Sequence, residues 1–340
     1  MEDQKHRSVS VKDVAERSGT SLGTVSRVLN GSASVSANAR ERVEKAIEEL
    51  GYSPNAGARQ MRSGRSGLVG ILLPSLDLPF FGILAQALEQ ALFEHGYHCL
   101  ICNTDENEEN ERRYVATLIS QKVDGIIVAW VMATKNFSRL SDAATPIIAV
   151  DRSPDGREED LVSVDHRAGG RLMAEYLLRL GHTKISVIGA PTHSKPIALR
   201  IEGIKEVLQE NGLEPMQIAL GKEHSFDACF RLARGVFDAD PPTALIGTTD
   251  IAAIGAIHAA HELGLRIPRD ISVIGFDNLP QSAHIFPALT TVDQPIRLLG
   301  TLAAEKLLNR IDPKRFPKPD LSALSLKMIE RDSSGPASDP

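Results

Sequence analysis

Two groups of residues in this chain have the types and spacing for chemistry. The first lies near the start. Ser21, Leu22, Gly23, Thr24, Ser26 and Arg27 open a short amphipathic segment, TSLGTVSRVLNG. An arginine there can fork onto O6 and N7 of a guanine, and a leucine can touch a thymine methyl. Hydroxyls and the unpaired N–H groups of a helix start suit phosphate oxygens. Gly23 reads no base, but it permits close approach. The second group is a pair of aspartates, Asp151 and Asp277, each closing an apolar run, TPIIAVD and DISVIGFD. In open parallel sheets, ligands bind beyond the carboxyl ends of the strands. Two lobes facing each other would bring both acids into one cleft. Each group also has a plainer reading: short helical triplets form bundles that bind no DNA, and a strand-end aspartate often caps the next helix.

Other residues that could do chemistry are not arranged for it. Cys99 and Cys102 alternate within HCLICNT, the pattern of buried strand thiols rather than of a redox or zinc pair. The histidines show no metal-binding spacing, and the chain has no nucleophile elbow or phosphate loop. No catalytic constellation is expected, and no cofactor or metal. The acidic run DENEENE reads as a solvated loop and helix start. Asp250 reads as a cap for the helix that follows it.

The elements that must hold the first group are three helices. VKDVAERSG sets Val11, Val14 and Ala15 on one face and stops at Gly19. The second can be capped by Ser21 and carries Val25, Val28 and Leu29 as its apolar stripe. The third, SANARERVEKAIEELG, has Ser36 as cap, apolar residues at Val43, Ala46, Ile47 and Leu50, and Gly51 as stop. A stretch rich in Gly, Ser and Arg follows, with a conditional helix over 55–62. Beyond Gly67, short Val/Ile/Leu runs alternate with amphipathic segments, which predicts parallel doubly wound sheets. There are too many strands for one small sheet, so two lobes are expected. The helix FFGILAQALEQAL carries surplus apolar residues and is the expected subunit interface.

Composition narrows the class. Of 340 residues, 42% are hydrophobic and 24% charged, ordinary for a globular protein of two or three domains. No apolar run approaches a membrane span and the N-terminus lacks a signal-peptide core, so a cytoplasmic protein is expected. Residues 1–66 hold 11 Lys/Arg against 8 Asp/Glu, while the remainder holds 27 against 36. A basic head on an acidic body fits a chain that meets a polyanion at one end.

The segment VKDVAERSGTSLGTVSRVLNGSASVSANARERVEKAIEELGYSPNAGARQM resembles the head and hinge of the lactose repressor family. The similarity continues through LVGILLPSLDLPFF, VDGIIVAW, PIIAVDR, LGHTKISVIGAP, ISVIGFDN and FPALTTVDQP, across residues 10–331. It implies an all-α helix-turn-helix head, a hinge helix and an α/β core of two doubly wound lobes like periplasmic sugar-binding proteins. The expected boundaries are 1–52 for the head, 53–67 for the hinge and 68–331 for the core. Within the core, the first lobe covers about 68–164 and 295–324 and the second about 165–294. Residues 332–340, which lack apolar side chains, are expected to be a disordered tail.

The resemblance also implies a repressor that binds a near-palindromic operator as a homodimer and answers to a small effector, a sugar or sugar derivative. Asn30, Asn55, Ala58, Arg59, Met61 and Arg62 join the DNA-binding set. Met61 stands where the family has a leucine that wedges into the minor groove. Gly57 costs this segment about 1 kcal/mol against alanine, so it should be helical only when DNA and the partner hinge hold it. In the core, Arg200, Asp151 and Asp277 match the residues that hold the effector, and Phe80 and Phe81 match an aromatic pair at the cleft mouth. Arg152, Ser194, His224 and Thr249 match further lining positions. Thr249 stands where many sugar-responsive members have asparagine, and His224 where an aromatic residue is common. Arg152 adds a cation that suits an acidic or phosphorylated effector. The phenylalanines also read as core and Arg200 as a salt-bridge partner. A small-molecule-binding module without catalytic activity, and a regulator answering to a nucleobase, are the alternatives.

Overall fold

Val14, Val25 and Val43 carry no exposed surface, and they come one each from three helices: α1 (Val11–Ser18), α2 (Leu22–Leu29) and α3 (Ala37–Leu50). The computed structural model describes residues 9–29, 34–52, 64–129, 138, 145–152, 158–189 and 194–337. The helix ends follow the local chemistry. Gly19 and Gly51 take left-handed φ values of 59° and 58°, closing α1 and α3. The Ser21 hydroxyl accepts from Thr24 N–H at 3.1 Å, and Ser36 accepts from Ala39 N–H at 3.4 Å. Inter-residue contacts divide the chain into two compact units, Met1–Gly67 and Leu68–Pro340.

The second unit is built on two sheets. The first has the order β2-β1-β3-β4-β5, all parallel, with β1 Leu68–Leu73, β2 His98–Asn103, β3 Gly125–Val128, β4 Ile147–Val150 and β5 Leu161–Val162. Its strands are apolar on both faces because both are covered. Ile71, Leu73, Ile127 and Ile148 face α4 (Pro79–Glu94) and a late helix, α10 (Ile296–Ile311). Leu72, Ile126 and Val128 face α5 (Glu108–Ser120). Although late in the chain, α10 packs on this lobe.

The second sheet has the order β11-β10-β9-β8-β6-β7. Its strands are β6 Ile185–Gly189, β7 Ile218–Leu220, β8 Ala244–Gly247, β9 Ser272–Asp277, β10 Thr290–Asp293 and β11 Lys327–Ile329. One face packs on α6 (His166–Arg179) and α7 (Lys195–Glu210), the other on α8 (Phe226–Ala239) and α9 (Asp250–Glu262). The sheet is parallel as expected except at one edge, where β11 pairs antiparallel with β10. A three-residue strand returning beside its neighbour needs no crossover helix.

Two further expectations are revised. The tail is not disordered through Ala337. Val273 N–H donates to the Ser333 carbonyl at 2.8 Å, Thr290 N–H to the Ser333 hydroxyl at 2.8 Å, and Ala337 N–H to the Leu180 carbonyl at 2.8 Å. Hydroxyl and backbone bonds tie down a segment whose apolar side chains are only Pro336 and Ala337; residues 338–340 lie outside the described residues. The apolar surplus of α4 is spent within the lobe. Leu84, Leu88, Ala91 and Leu92 are buried, and α10 approaches closely at Gly300, where a Cβ would lie 2.8 Å from that of Ala87. Gln86, Glu89, Gln90 and Phe93 form the outward face. Among the described residues, no helix is long and apolar enough to cross a membrane, and no cluster of three His, Cys, Asp or Glu could hold a metal ion.

Candidate functional site

In the N-terminal unit, burial sorts the residues of α2 by role. Val25 and Val28 are buried, while Ser21, Leu22, Gly23 and Arg27 are exposed, with Thr24 and Ser26 between. Leu22 is a large apolar side chain with 46% of its surface exposed, an arrangement that suits an outside partner. The Arg27 guanidinium lies back along its own helix, its Nε–H donating to the Gly23 carbonyl at 3.1 Å. That bond engages one of five N–H donors. A Cβ on Gly23 would sit 3.7 Å from Arg27 and 3.7 Å from the Ser21 hydroxyl, an ordinary contact. Asn30, Asn55, Ala58, Arg59, Met61, Arg62 and the expected hinge helix lie outside the described residues. Arg27→Ala is expected to weaken binding to a selected duplex by about 1–3 kcal/mol and to relax preference at one guanine. Fluorescence anisotropy at fixed salt checks this.

In the second unit, a cleft of about 660 Å³, solvent at its mouth included, lies between the two lobes. All nine core residues singled out in the sequence line it: Phe80, Phe81, Asp151, Arg152, Ser194, Arg200, His224, Thr249 and Asp277. Phe80 and Phe81 stand in the first turn of α4, rings edge to face at 5.0 Å, and also rest on the lobe's core. They are lining and core at once. Ser194 is the N-cap position of α7, yet its hydroxyl makes no cap bond.

The two aspartates share a backbone device. Asp151 follows β4 with φ 61°, and Asp277 ends β9 with φ 123°. Both are left-handed values that a side chain makes costly, of order 1–3 kcal/mol each, and they concentrate at functional sites. Neither aspartate occupies the N-cap position of a helix, although Asp277 accepts from the Asp250 N–H at the start of α9. Asp151 accepts from His166 Nε2 at 3.3 Å and from Gln294 Nε2 at 3.3 Å. Burial alone would raise its pKa, but His166, Arg200 and Gln294 outweigh that, and its carboxyl is held below the usual range. Asp277 goes the other way. Burial pushes it well up, Asp250 and Asp151 add to the rise, and Arg200 at 3.8 Å opposes it.

Arg200 is the centre of the cleft wall. Only 4% of its surface is exposed, and three of its five N–H donors are engaged within the protein. It donates to the Thr248 carbonyl at 2.6 Å, to Gln294 Oε1 at 3.2 Å and to His166 Nδ1 at 3.3 Å. Its Cζ lies over the Phe276 ring, 3.6 Å from the centroid. The backbone dictates this position: α6 and α7 cross so closely that a Cβ on Gly170 would meet the Arg200 carbonyl oxygen at 1.9 Å.

Asp250 corrects an expectation. Thr249, not Asp250, caps α9 by accepting from Ala252 N–H at 3.3 Å. The Asp250 carboxylate instead accepts from Leu279 N–H at 2.7 Å and from the Ser282 and Thr291 hydroxyls. It braces the loop that follows Asp277. The acidic run is also only partly solvated: Glu106 lines the cleft and Glu111 is fully buried. Burial pushes the Cys99 thiol up to about 12 and Cys102 to about 11, which disfavours the reactive thiolate.

His224 Nε2 lies 2.9 Å from the Thr249 hydroxyl. Burial, then the charge of Arg200, lowers its pKa to about 4. The folded chain therefore holds it neutral where the unfolded chain is protonated, so stability from this group is intact above about pH 6.5 and is lost as pH falls toward 4. The loss is of order 3 kcal/mol. Asp277, raised, acts in the opposite sense. The expected result is read as a difference: His224→Gln unfolds with a weaker acid dependence than wild type over pH 7.5–4.5.

A helix-turn-helix unit and a two-lobed core with an interlobe cleft are the parts of a ligand-controlled transcription regulator. Comparison with known proteins gives the family. Residues 10–55 match the model for bacterial regulatory proteins of the lacI family, and residues 66–328 match that for periplasmic binding proteins and the sugar binding domain of the LacI family. The ribose operon repressor of Halalkalibacterium halodurans is 37% identical over 307 residues, 90% of this chain and 91% of that protein. The transcriptional repressor PurR of Edwardsiella ictaluri is 34% identical over 329 residues, 95% of this chain and 96% of that protein. The crystal structure of the Lac repressor dimer bound to operator and the anti-inducer ONPF matches with a TM-score of 0.85 at 30% identity, covering 97% of this chain and 100% of that one. The chain belongs to the LacI family of bacterial regulatory proteins, and it is a DNA-binding repressor, not an enzyme.

Three of the residues that shape the cleft have no role in the sequence reading, Glu106 at its lining and His166 and Gln294 behind it, while Asp250, beneath the Asp277 loop, reads there as a cap. The only signal for Gln294 was its place in the matched string FPALTTVDQP.

Proposed function

We propose that this cytoplasmic repressor binds a near-palindromic operator as a homodimer and that a neutral sugar of the ribose class in the interlobe cleft changes its operator affinity. The observation that carries the reading is the Arg200 guanidinium, 3.8 Å from the Asp277 carboxyl and linked to Asp151 through His166 and Gln294, in a cleft that Phe80 and Phe81 also line. Carboxylates accept from vicinal hydroxyls, a guanidinium donates in a plane, and an aromatic face covers the apolar side of a sugar ring. The ribose operon repressors among its relatives favour a pentose. Charge balance favours a neutral ligand. With the Asp277 carboxyl pushed up, Glu106 and Asp151 balance the two guanidinium groups of Arg152 and Arg200 in the lining. This weighs against the acidic effector that Arg152 alone suggests. Ligand closure of the lobes shifts the population of the state whose paired hinges grip DNA.

A thermal-shift series with D-ribose, ribose 5-phosphate, D-gluconate and hypoxanthine tests the ligand class. Ligand at 100 times Kd stabilises by about 2.7 kcal/mol, enough for a shift of several degrees. The expected result is a shift with D-ribose alone. A shift with hypoxanthine alone, or with the phosphate and not the free sugar, overturns the reading.

A further inference from the structure

His166 is the first residue of α6, 2% exposed, and lies behind the cleft lining. Its ring stands between a group of each lobe, Asp151 after β4 and Arg200 on α7. Arg200 Nε can only donate, so His166 Nδ1, 3.3 Å away, must be the bare nitrogen. The hydrogen is then on Nε2, which faces Asp151 Oδ1 at 3.3 Å. Gln294 repeats the relay. Its Oε1 accepts from Arg200 and its Nε2 donates to Asp151. A donor-only group at one end and an acceptor at the other fix the direction of both relays, and together they close a ring of hydrogen bonds that spans the two lobes.

We infer that His166 is a positioning residue for the cleft: as a neutral Nε2–H imidazole it sets Asp151 against Arg200, and its protonation uncouples them and weakens ligand binding. A second proton would sit on Nδ1, directly opposed to the Arg200 N–H. The charged and titratable groups around the ring are Asp151 from the end of β4, Arg200 from α7 and Asp165 at the cap of its own helix; Asp277, from β9, acts on it through Arg200. Phe276, also from β9, covers it with an uncharged ring at 6.1 Å. Burial outweighs the attraction of Asp151 and holds the imidazole below its ordinary range, so it is neutral in the unliganded protein at neutral pH. The crossing of α6 and α7 at Gly170 and Gly203 keeps the ring beside Arg200.

The binding half of this inference rests on the sugar reading of the cleft; the tautomer does not. Long-range 1H–15N correlation on the full-length, unliganded protein with 15N-histidine reports the tautomer, with His166→Gln identifying the signal. The expected result is an Nε2–H ring that stays neutral at pH 6.5. An Nδ1–H ring, or a ring that titrates at or above 6.5, overturns the inference. Titration with D-ribose then compares wild type, His166→Gln and His166→Phe at pH 7.5 and 5.5. Glutamine supplies the acceptor–donor pair that Gln294 uses. It is expected to bind within a few-fold of wild type at pH 7.5 and to lose the acid weakening. Phenylalanine is expected to bind at least tenfold more weakly at both pH values while unfolding cooperatively. A phenylalanine variant with wild-type affinity and pH profile overturns the inference. Absence of ribose binding by wild type overturns the sugar reading, and the tautomer still decides this one.

Discussion

Arg200→Ala is expected to destabilise the core by about 3–5 kcal/mol and to remove ligand binding. The cost follows from what the guanidinium holds. Its loss leaves the Asp151 carboxylate without its counter-charge, and it leaves the Thr248 carbonyl and Gln294 Oε1 without their donor. It also removes a cation from the face of Phe276, a contact worth up to about 2 kcal/mol when desolvated. Arg200→Lys separates charge from shape. A lysine restores a positive charge but not a planar fork that reaches three acceptors. It should recover part of the stability and little of the binding. Urea unfolding of the unliganded proteins, followed by D-ribose titration, measures both. Wild-type stability in the alanine variant would show that the guanidinium network is not what holds the cleft wall.

The second large effect is expected at a residue that touches no ligand. Gly170→Ala puts a methyl 1.9 Å from the Arg200 carbonyl oxygen and 2.7 Å from its carbonyl carbon. Both are backbone atoms, so no side chain can turn away, and α6 must separate from α7. Overpacking of this kind costs about 1–3 kcal/mol, occasionally more, and the upper end is expected here. Separation also draws His166 from Arg200, so ribose binding should fall in step. Gly235→Ala in α8 is the control. A Cβ there meets nothing within 4 Å, and an interior helical glycine gains about 0.5–1 kcal/mol on becoming alanine. Opposite signs for the two substitutions in denaturant unfolding are expected; equal effects would contradict the crossing geometry.

The residues that were legible in the sequence are those whose position follows from the chain itself. Asp151 and Asp277 end apolar strands, so topology alone places them at a cleft. Val14, Val25 and Val43 lie on helical stripes, so periodicity places them in a core. Arg200, the phenylalanine pair, Ser194, His224 and Thr249 were reachable through resemblance, and they line the same cleft. What escaped depends on contacts made across the chain. His166 and Gln294 are single polar residues 128 positions apart, and nothing local to either shows that both touch Asp151 and Arg200. Glu106 sits in an acidic run whose charge density points to solvent, yet its φ of 48° lies in the left-handed region and the side chain lines the cleft. The tail misled for a related reason. Composition measures what a segment can bury, and Ser333 to Ala337 are held by hydrogen bonds instead.

The central claim is that one chain couples a DNA-reading head to the cleft ligand. The most direct measurement is the affinity of the full-length protein for a duplex selected by this protein from random sequence. It is taken by anisotropy at fixed salt, because phosphate contacts make affinity steeply salt-dependent. Saturating D-ribose is predicted to change wild-type affinity at least tenfold and to leave Arg200→Ala unchanged. Sequence-selective binding that is identical with and without ribose would contradict the coupling, and failure to select any sequence would contradict the head.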